Sequence, residues 1–173
     1  MLTVSVLYNK EPQEDYQKYR EIFQKAKKEI ELSDHLLYVT YPLIAELKFL
    51  LSVTEHIIMS LNYAIEAALE YERAYKRIDA YPKGNFRAMI DIFSDKVAAN
   101  YGFDNSSKRY LKRMAELKFF IDKSTLQFRR QDAFILTSDD YNIRKIDLST
   151  VKKQLSYAKK FIIKMEGKIC QKI

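Results

Sequence analysis

Apolar residues recur at helical spacing over most of this chain. Tyr16, Tyr19, Phe23, Ala26 and Ile30 lie three or four positions apart, which places them on one helical face. Pro12 stands just upstream, where a first helical turn tolerates proline. A first helix is therefore expected over about 13–38. It should break near Pro42, because proline pushes the preceding Tyr41 out of the α region. A second helix is expected over about 44–78. Phe49, Leu50, Val53, Ile57, Leu61, Ala64, Ala68 and Tyr71 cover one side of it, and Leu51, Ile58, Ile65 and Leu69 another. A helix that is apolar around most of its circumference is a buried, central one. The run Asp79-Ala80-Tyr81-Pro82-Lys83-Gly84 ends it.

A third helix is expected over about 85–99, with Phe86, Met89, Ile90, Phe93 and Val97 inward and a stop at Asn100 and Gly102. Asp104 or Ser106 caps a fourth, whose inner face is Tyr110, Met114, Leu117 and Ile121. A fifth, over about 149–171, carries Val151, Leu155, Ala158, Ile162, Met165 and Ile169 in a narrow seam of the coiled-coil type. Between the fourth and fifth the helical period is lost. Segments 133–137 and 142–146 flank Ser138-Asp139-Asp140-Tyr141, which reads as a short hairpin. Leu2, Val4, Val6 and Tyr8 alternate with Thr3 and Ser5, so 2–8 is a candidate third strand. The expected fold is mainly α, one domain over 1–173. It is a five-helix antiparallel bundle with a small β-hairpin between the fourth and fifth helices.

Composition narrows the function classes. Three glycines and three prolines in 173 residues argue against a turn-rich β-sandwich, and their scatter excludes a glycine-rich phosphate loop. One cysteine excludes a disulfide framework and a cysteine zinc site. The longest apolar region, 47–69, contains Glu55, His56, Asn62 and Glu66 and makes a poor bilayer span. The N-terminal residues lack a basic n-region and a cleavage site, and the lone Cys170 fits a reducing compartment. A cytoplasmic protein without membrane association or cofactor is expected.

Charge adds the sharpest signal. The net charge is +7, yet residues 1–80 sum to −3 and residues 81–173 to +10. A one-sided positive field selects anionic partners. Lys108, Arg109, Lys112 and Arg113 form one continuous side of the fourth helix. Arg129, Arg130, Arg144 and Lys145 flank the hairpin, and Lys153 and Lys160 oppose the apolar seam of the fifth helix. These ten residues are the candidate nucleic-acid-binding set. Tyr110, Phe128, Tyr141 and Tyr157 are interleaved with them as candidate platforms for base stacking. The competing reading is a solvated, lysine-rich surface.

Catalytic constellations are harder to find. Glu55, Asn62, Glu66 and Arg73 share one polar stripe of the second helix, either a pocket wall or a network fixing packing register. Neither His35 nor His56 follows a glutamate by three residues, so a di-metal carboxylate site fails. His56 and Glu55 point about 100° apart around the helix and do not form a pair. No catalytic residue and no metal ligand is assigned.

The strings Tyr38-Val39-Thr40-Tyr41-Pro42-Leu43, Leu69-Glu70-Tyr71-Glu72-Arg73-Ala74-Tyr75-Lys76-Arg77 and Phe128-Arg129-Arg130-Gln131-Asp132 resemble a family of small archaeal helical proteins with no assigned activity. The architecture also resembles HEPN-type bundles, whose nucleases use an Arg followed four to six residues later by His. Neither His35 nor His56 has an Arg at that interval, so the resemblance implies a fold and carries no active site. The first functional reading is a non-catalytic RNA-binding or ribonucleoprotein-associated protein using the basic second half. The alternative is a helical protein-interaction module or homo-oligomer without nucleic acid, with a homodimer as the expected partner. The third is a HEPN-like nuclease or toxin lacking the usual motif.

Overall fold

The computed structural model describes residues 13–170, with side chains from residue 17 onward. The chain is mainly helical, with one three-stranded antiparallel sheet of order β1-β2-β3 among the described residues. The candidate strand over 2–8 lies outside the described residues.

Helix α1 (Gln13–His35) packs along α3 (Lys48–Ala74). Tyr19 meets Tyr71 edge-on, the Ser60 hydroxyl donates to the Ala26 carbonyl at 2.7 Å, and His56 pairs with Glu29 at 2.6 Å. Contacts running in opposite sequence order mark an antiparallel pair. Tyr19, Phe23, Ala26 and Ile30 are buried, as their spacing requires. The expected break at Pro42 does not occur. Leu36–Thr40 form a π-helical turn, Tyr41 stays helical at φ −58° and ψ −44°, and α2 (Tyr41–Ile44) continues past the proline. Pro42 stands at the start of α2, directly after the π-helical turn. The stop is Ala45, left-handed at φ 54°.

Helix α3 is the buried centre. Leu50, Val53, Ile57, Leu61, Ala64, Ile65, Ala68 and Leu69 are essentially inaccessible. Its apolar circumference is used on several sides, because α1, α4, α5 and α6 all pack on it. Asn85 caps α4 (Phe86–Ile92), which runs into a second π-helical turn, Phe93–Val97. Gly102, at φ 73°, turns the chain toward α5 (Asn105–Lys123). Asp104 caps α5 by accepting from the Ser107 N–H at 2.9 Å. Those hydrogen bonds hold its carboxyl down at about 2.

The two-stranded hairpin expected between the last long helices is a three-stranded meander. Strand β1 (Ser124–Arg130) pairs with β2 (Ala133–Ser138), and β2 pairs with β3 (Ile143–Asp147). The short apolar run Ala133–Leu136 marks β2, and all four of its residues are buried, while β3 supplies Ile146 to the core. Strand β1 buries almost nothing and left no such trace. The chain then enters α6 (Leu148–Ile169), where Val151, Leu155, Ala158, Ile162, Met165 and Ile169 are buried along the seam. Lys27 pairs with Glu166 at 2.7 Å and Lys159 with Asp34 at 2.8 Å, so α6 runs antiparallel to α1. No helix among the described residues is long and apolar enough to cross a membrane.

Candidate nucleic-acid interface

Strand β3 and the first turns of α6 separate two grooves, and Lys145 borders both. The first groove, of about 350 Å3, is lined by Arg113, Glu116 and Leu117 of α5, Arg144, Lys145 and Ile146 of β3, and Thr150 and Gln154 of α6. The second is wider and more open. Arg129, Lys145, Lys152 and Lys153 surround it, with Tyr41, Ala45 and Leu47 on the far wall and Asp132 and Asp147 at its edge.

Local chemistry fixes these cations without neutralising most of them. Arg113, Arg129, Arg144, Lys152 and Lys153 make no ion pair among the described residues. The Arg144 guanidinium lies over the Phe120 ring at 5.6 Å, and the Lys152 ammonium over the Tyr38 ring at 5.8 Å. Such contacts orient a cation and keep its charge available. Lys145 is the exception, with Asp132 and Asp147 each 3.8 Å away. Asp147 also caps α6 by accepting from the Thr150 N–H at 2.9 Å, which lowers its carboxyl pKa and keeps it ionised. The Gln154 side-chain oxygen is buried beside the first groove with no hydrogen-bond partner.

The structure gathers half of the sequence-selected basic set. Arg113, Arg144 and Lys145 share the first groove, and Arg129, Lys145 and Lys153 the second. Lys112 faces away into a small cleft with Arg87, Asp91 and Glu116, 4.0 Å from Asp91. Lys108, Arg109, Arg130 and Lys160 line neither groove. Nor is Tyr110 free to stack on a base. Its ring lies against Tyr157 with centroids 5.4 Å apart, and its hydroxyl donates to the Gln154 carbonyl at 2.9 Å. Burial pushes that phenol's pKa up. Phe128 and Tyr141 are exposed but line neither groove. Lys152, Thr150 and Gln154 are the additions; Lys152 stood on the shoulder of the α6 seam, whereas Thr150 and Gln154 carried no charge signal.

The polar stripe of α3 does not form one pocket. Glu55 is exposed at a shallow depression with Glu46, Lys48 and Phe49, and the buried Asn62 Oδ1 has no partner. Arg73 turns instead to Glu70, a residue the stripe did not include. Glu70 is only 4% exposed, yet its carboxylate meets Lys83 at 2.5 Å, the Tyr81 hydroxyl at 2.6 Å, and Lys18 and Arg73 at 3.3 Å. Burial alone would raise its pKa. The hydrogen bonds from Lys83, Tyr81 and Lys18 and the Lys83 charge outweigh that and bring it down to about 2. Two residues on, buried Glu72 accepts from the Tyr101 hydroxyl at 2.8 Å and from Arg77 at 3.3 Å. Burial and the adjacent carboxylates push both tyrosines' pKa values up, so both remain neutral donors. In this second concentration of charge both buried carboxylates are met by several donors.

Among the described residues no three His, Cys, Asp or Glu side chains converge on a point where a metal ion could bind. No protein-family model, curated protein or solved structure matches the chain.

Proposed function

We propose that this chain is a non-catalytic RNA-binding protein that holds a single strand by its phosphates across the two grooves flanking β3. The observation that carries this reading is the row of unpaired cations: Arg113 and Arg144 on one side of Lys145, and Arg129, Lys152 and Lys153 on the other. Five uncompensated cations around one strand and one helix start form the footprint that a flexible polyanion neutralises on binding, with release of its counterions. The grooves supply positioning contacts and few base-reading ones, so discrimination between sequences is weak.

The test is fluorescence anisotropy with short labelled RNAs of different sequence at low salt. The charge reversal Arg113→Glu with Arg144→Glu should weaken binding to all of them by tenfold or more, because phosphate contacts are lost and repulsion is added. Lys160→Glu with Lys168→Glu, a double reversal of equal charge on the part of α6 that lines neither groove, is the control and should leave most of the affinity. Equal losses from both variants would reduce the effect to net charge and remove the grooves from the account.

A further inference from the structure

Strand β1 is unusual in burying almost none of its own residues. Only Ser124 is even partly shielded, and Thr125 through Arg130 are exposed on both faces of the sheet. It pairs with β2 along one edge and leaves the other open. Side chains opposite one another in the register share a face, so Leu126, Phe128, Ile143 and Lys145 lie around the buried Ile135 on the face opposite Phe134, Leu136 and Ile146. On that side Leu126 is 57%, Phe128 40% and Ile143 63% exposed. A strand with one free edge, two wet faces and two large apolar side chains gains little from folding in isolation.

Its charges lie at opposite ends. Arg129 and Arg130 close β1 at one end of the sheet, and Asp139 and Asp140 form the β2–β3 turn at the other, beside Ser124. None of the four makes an ion pair among the described residues. The sequence of β1 is also self-complementary when reversed. A two-fold axis through Gln127 sets Leu126 opposite Phe128 of the second copy, Ser124 opposite Arg130 and Thr125 opposite Arg129. No like charges then face each other. The same axis brings each copy's acidic turn alongside the other's arginines, across roughly 10 Å or two strand spacings, which the side chains can span.

We propose that β1 is a homodimer seam, at which two copies of this chain join antiparallel through their β1 edges into one six-stranded sheet. The contact is isologous, so pairing uses up both free β1 edges and closes at two chains. The β1 bulge between Ser124 and Leu126, and the paired arginines, oppose any shifted register. Leu126 and Phe128 pack on their counterparts, which accounts for apolar side chains on an otherwise wet strand. Arg129 also lines the second groove, but no other seam residue lines either groove, and the mass and crosslinking readouts are taken without RNA.

Complementary charge swaps test it, in nuclease-treated protein free of RNA. Light scattering and sedimentation at tens to hundreds of micromolar should give twice the 20.5 kDa chain mass. Arg129→Asp with Arg130→Asp, and separately Asp139→Lys with Asp140→Lys, should each raise the dissociation concentration about tenfold or more. Mixing the two variants should restore a dimer of one copy of each. In a Cys170→Ser background, Gln127→Cys should form an interchain disulfide under mild oxidation and Asp95→Cys, on the second π-helical turn, should not. A monomeric wild type at the highest concentration would overturn the proposal. So would a dimer indifferent to the swaps and uncrosslinked at 127, since its interface would then lie elsewhere.

Discussion

Glu70 gathers Lys18, Arg73 and Lys83 onto one buried carboxylate, whereas Arg113, Arg129, Arg144, Lys152 and Lys153 stand around open grooves with no counter-ion. Both regions are rich in cations and flanked by tyrosines. They differ in burial of the acid. At the end of α3 the carboxylates are withdrawn from water, so each must be met by donors, and the surrounding cations are spent on that task. Along β3 and α6 the acids are few, with Glu116 and Asp132 exposed and Asp147 partly so, and five of the cations make no ion pair among the described residues. A count of lysines and arginines cannot distinguish the two; the position of the nearest carboxylate does.

That contrast can be broken from either side. Helix α3 sets the scale: Leu61→Ala, in its packed middle, should cost about 2–5 kcal/mol in urea denaturation. At the end of the same helix, Glu70→Gln leaves three cations around a neutral amide and should cost up to about 3 kcal/mol at neutral pH. The pH dependence follows from the sign of the shift. A folded-state pKa of about 2 lies below the ordinary 4.5, so the Glu70 contribution is complete above about 4.5 and lost as pH falls toward 2. The difference in unfolding free energy between wild type and Glu70→Gln should therefore shrink across that window. A difference that stays constant from neutral pH to acid would mean the carboxylate is not held ionised by its neighbours.

Smaller effects sharpen the picture. Tyr101→Phe removes one donor to buried Glu72 and should cost about 1–2 kcal/mol, read from the same denaturation midpoints. Ala45→Gly relieves a left-handed alanine on the wall of the second groove and should stabilise the fold by about 0.5–1 kcal/mol without changing any charge. Arg144→Glu should cost no more than about 1 kcal/mol, because only the contact over the Phe120 ring is lost. A cost from Arg144→Glu as large as that from Glu70→Gln would erase the distinction between the two regions.

Much of the helical framework was legible in the sequence because its signal is burial. Tyr19, Phe23 and Ala26, the circumference of α3, the Asp104 cap and the α6 seam each leave a periodic or positional trace that survives folding. Three features left none. Strand β1 alternates weakly because neither of its faces is buried. The continuation past Pro42 depends on a π-helical turn that no residue type announces. Glu70 and Glu72 look like solvated glutamates near a helix end, and only the return of the chain through Tyr81 and Tyr101 buries them. The basic surface was half legible for a related reason. Lys108, Arg109, Lys112 and Arg113 do share a helix side, but β3 meets only the Arg113 edge of it.

The central claim is that the groove cations are free to displace counterions from RNA phosphates. Its most direct measurement is the slope of the logarithm of the RNA association constant against the logarithm of salt concentration, for wild type and for Arg144→Ala. Each phosphate contact contributes roughly 0.7 to that slope for a single strand. Unpaired groove cations should give a steep wild-type slope, equivalent to several contacts, and a variant slope shallower by about one contact. A wild-type affinity indifferent to salt, or a slope that Arg144→Ala leaves unchanged, would contradict it.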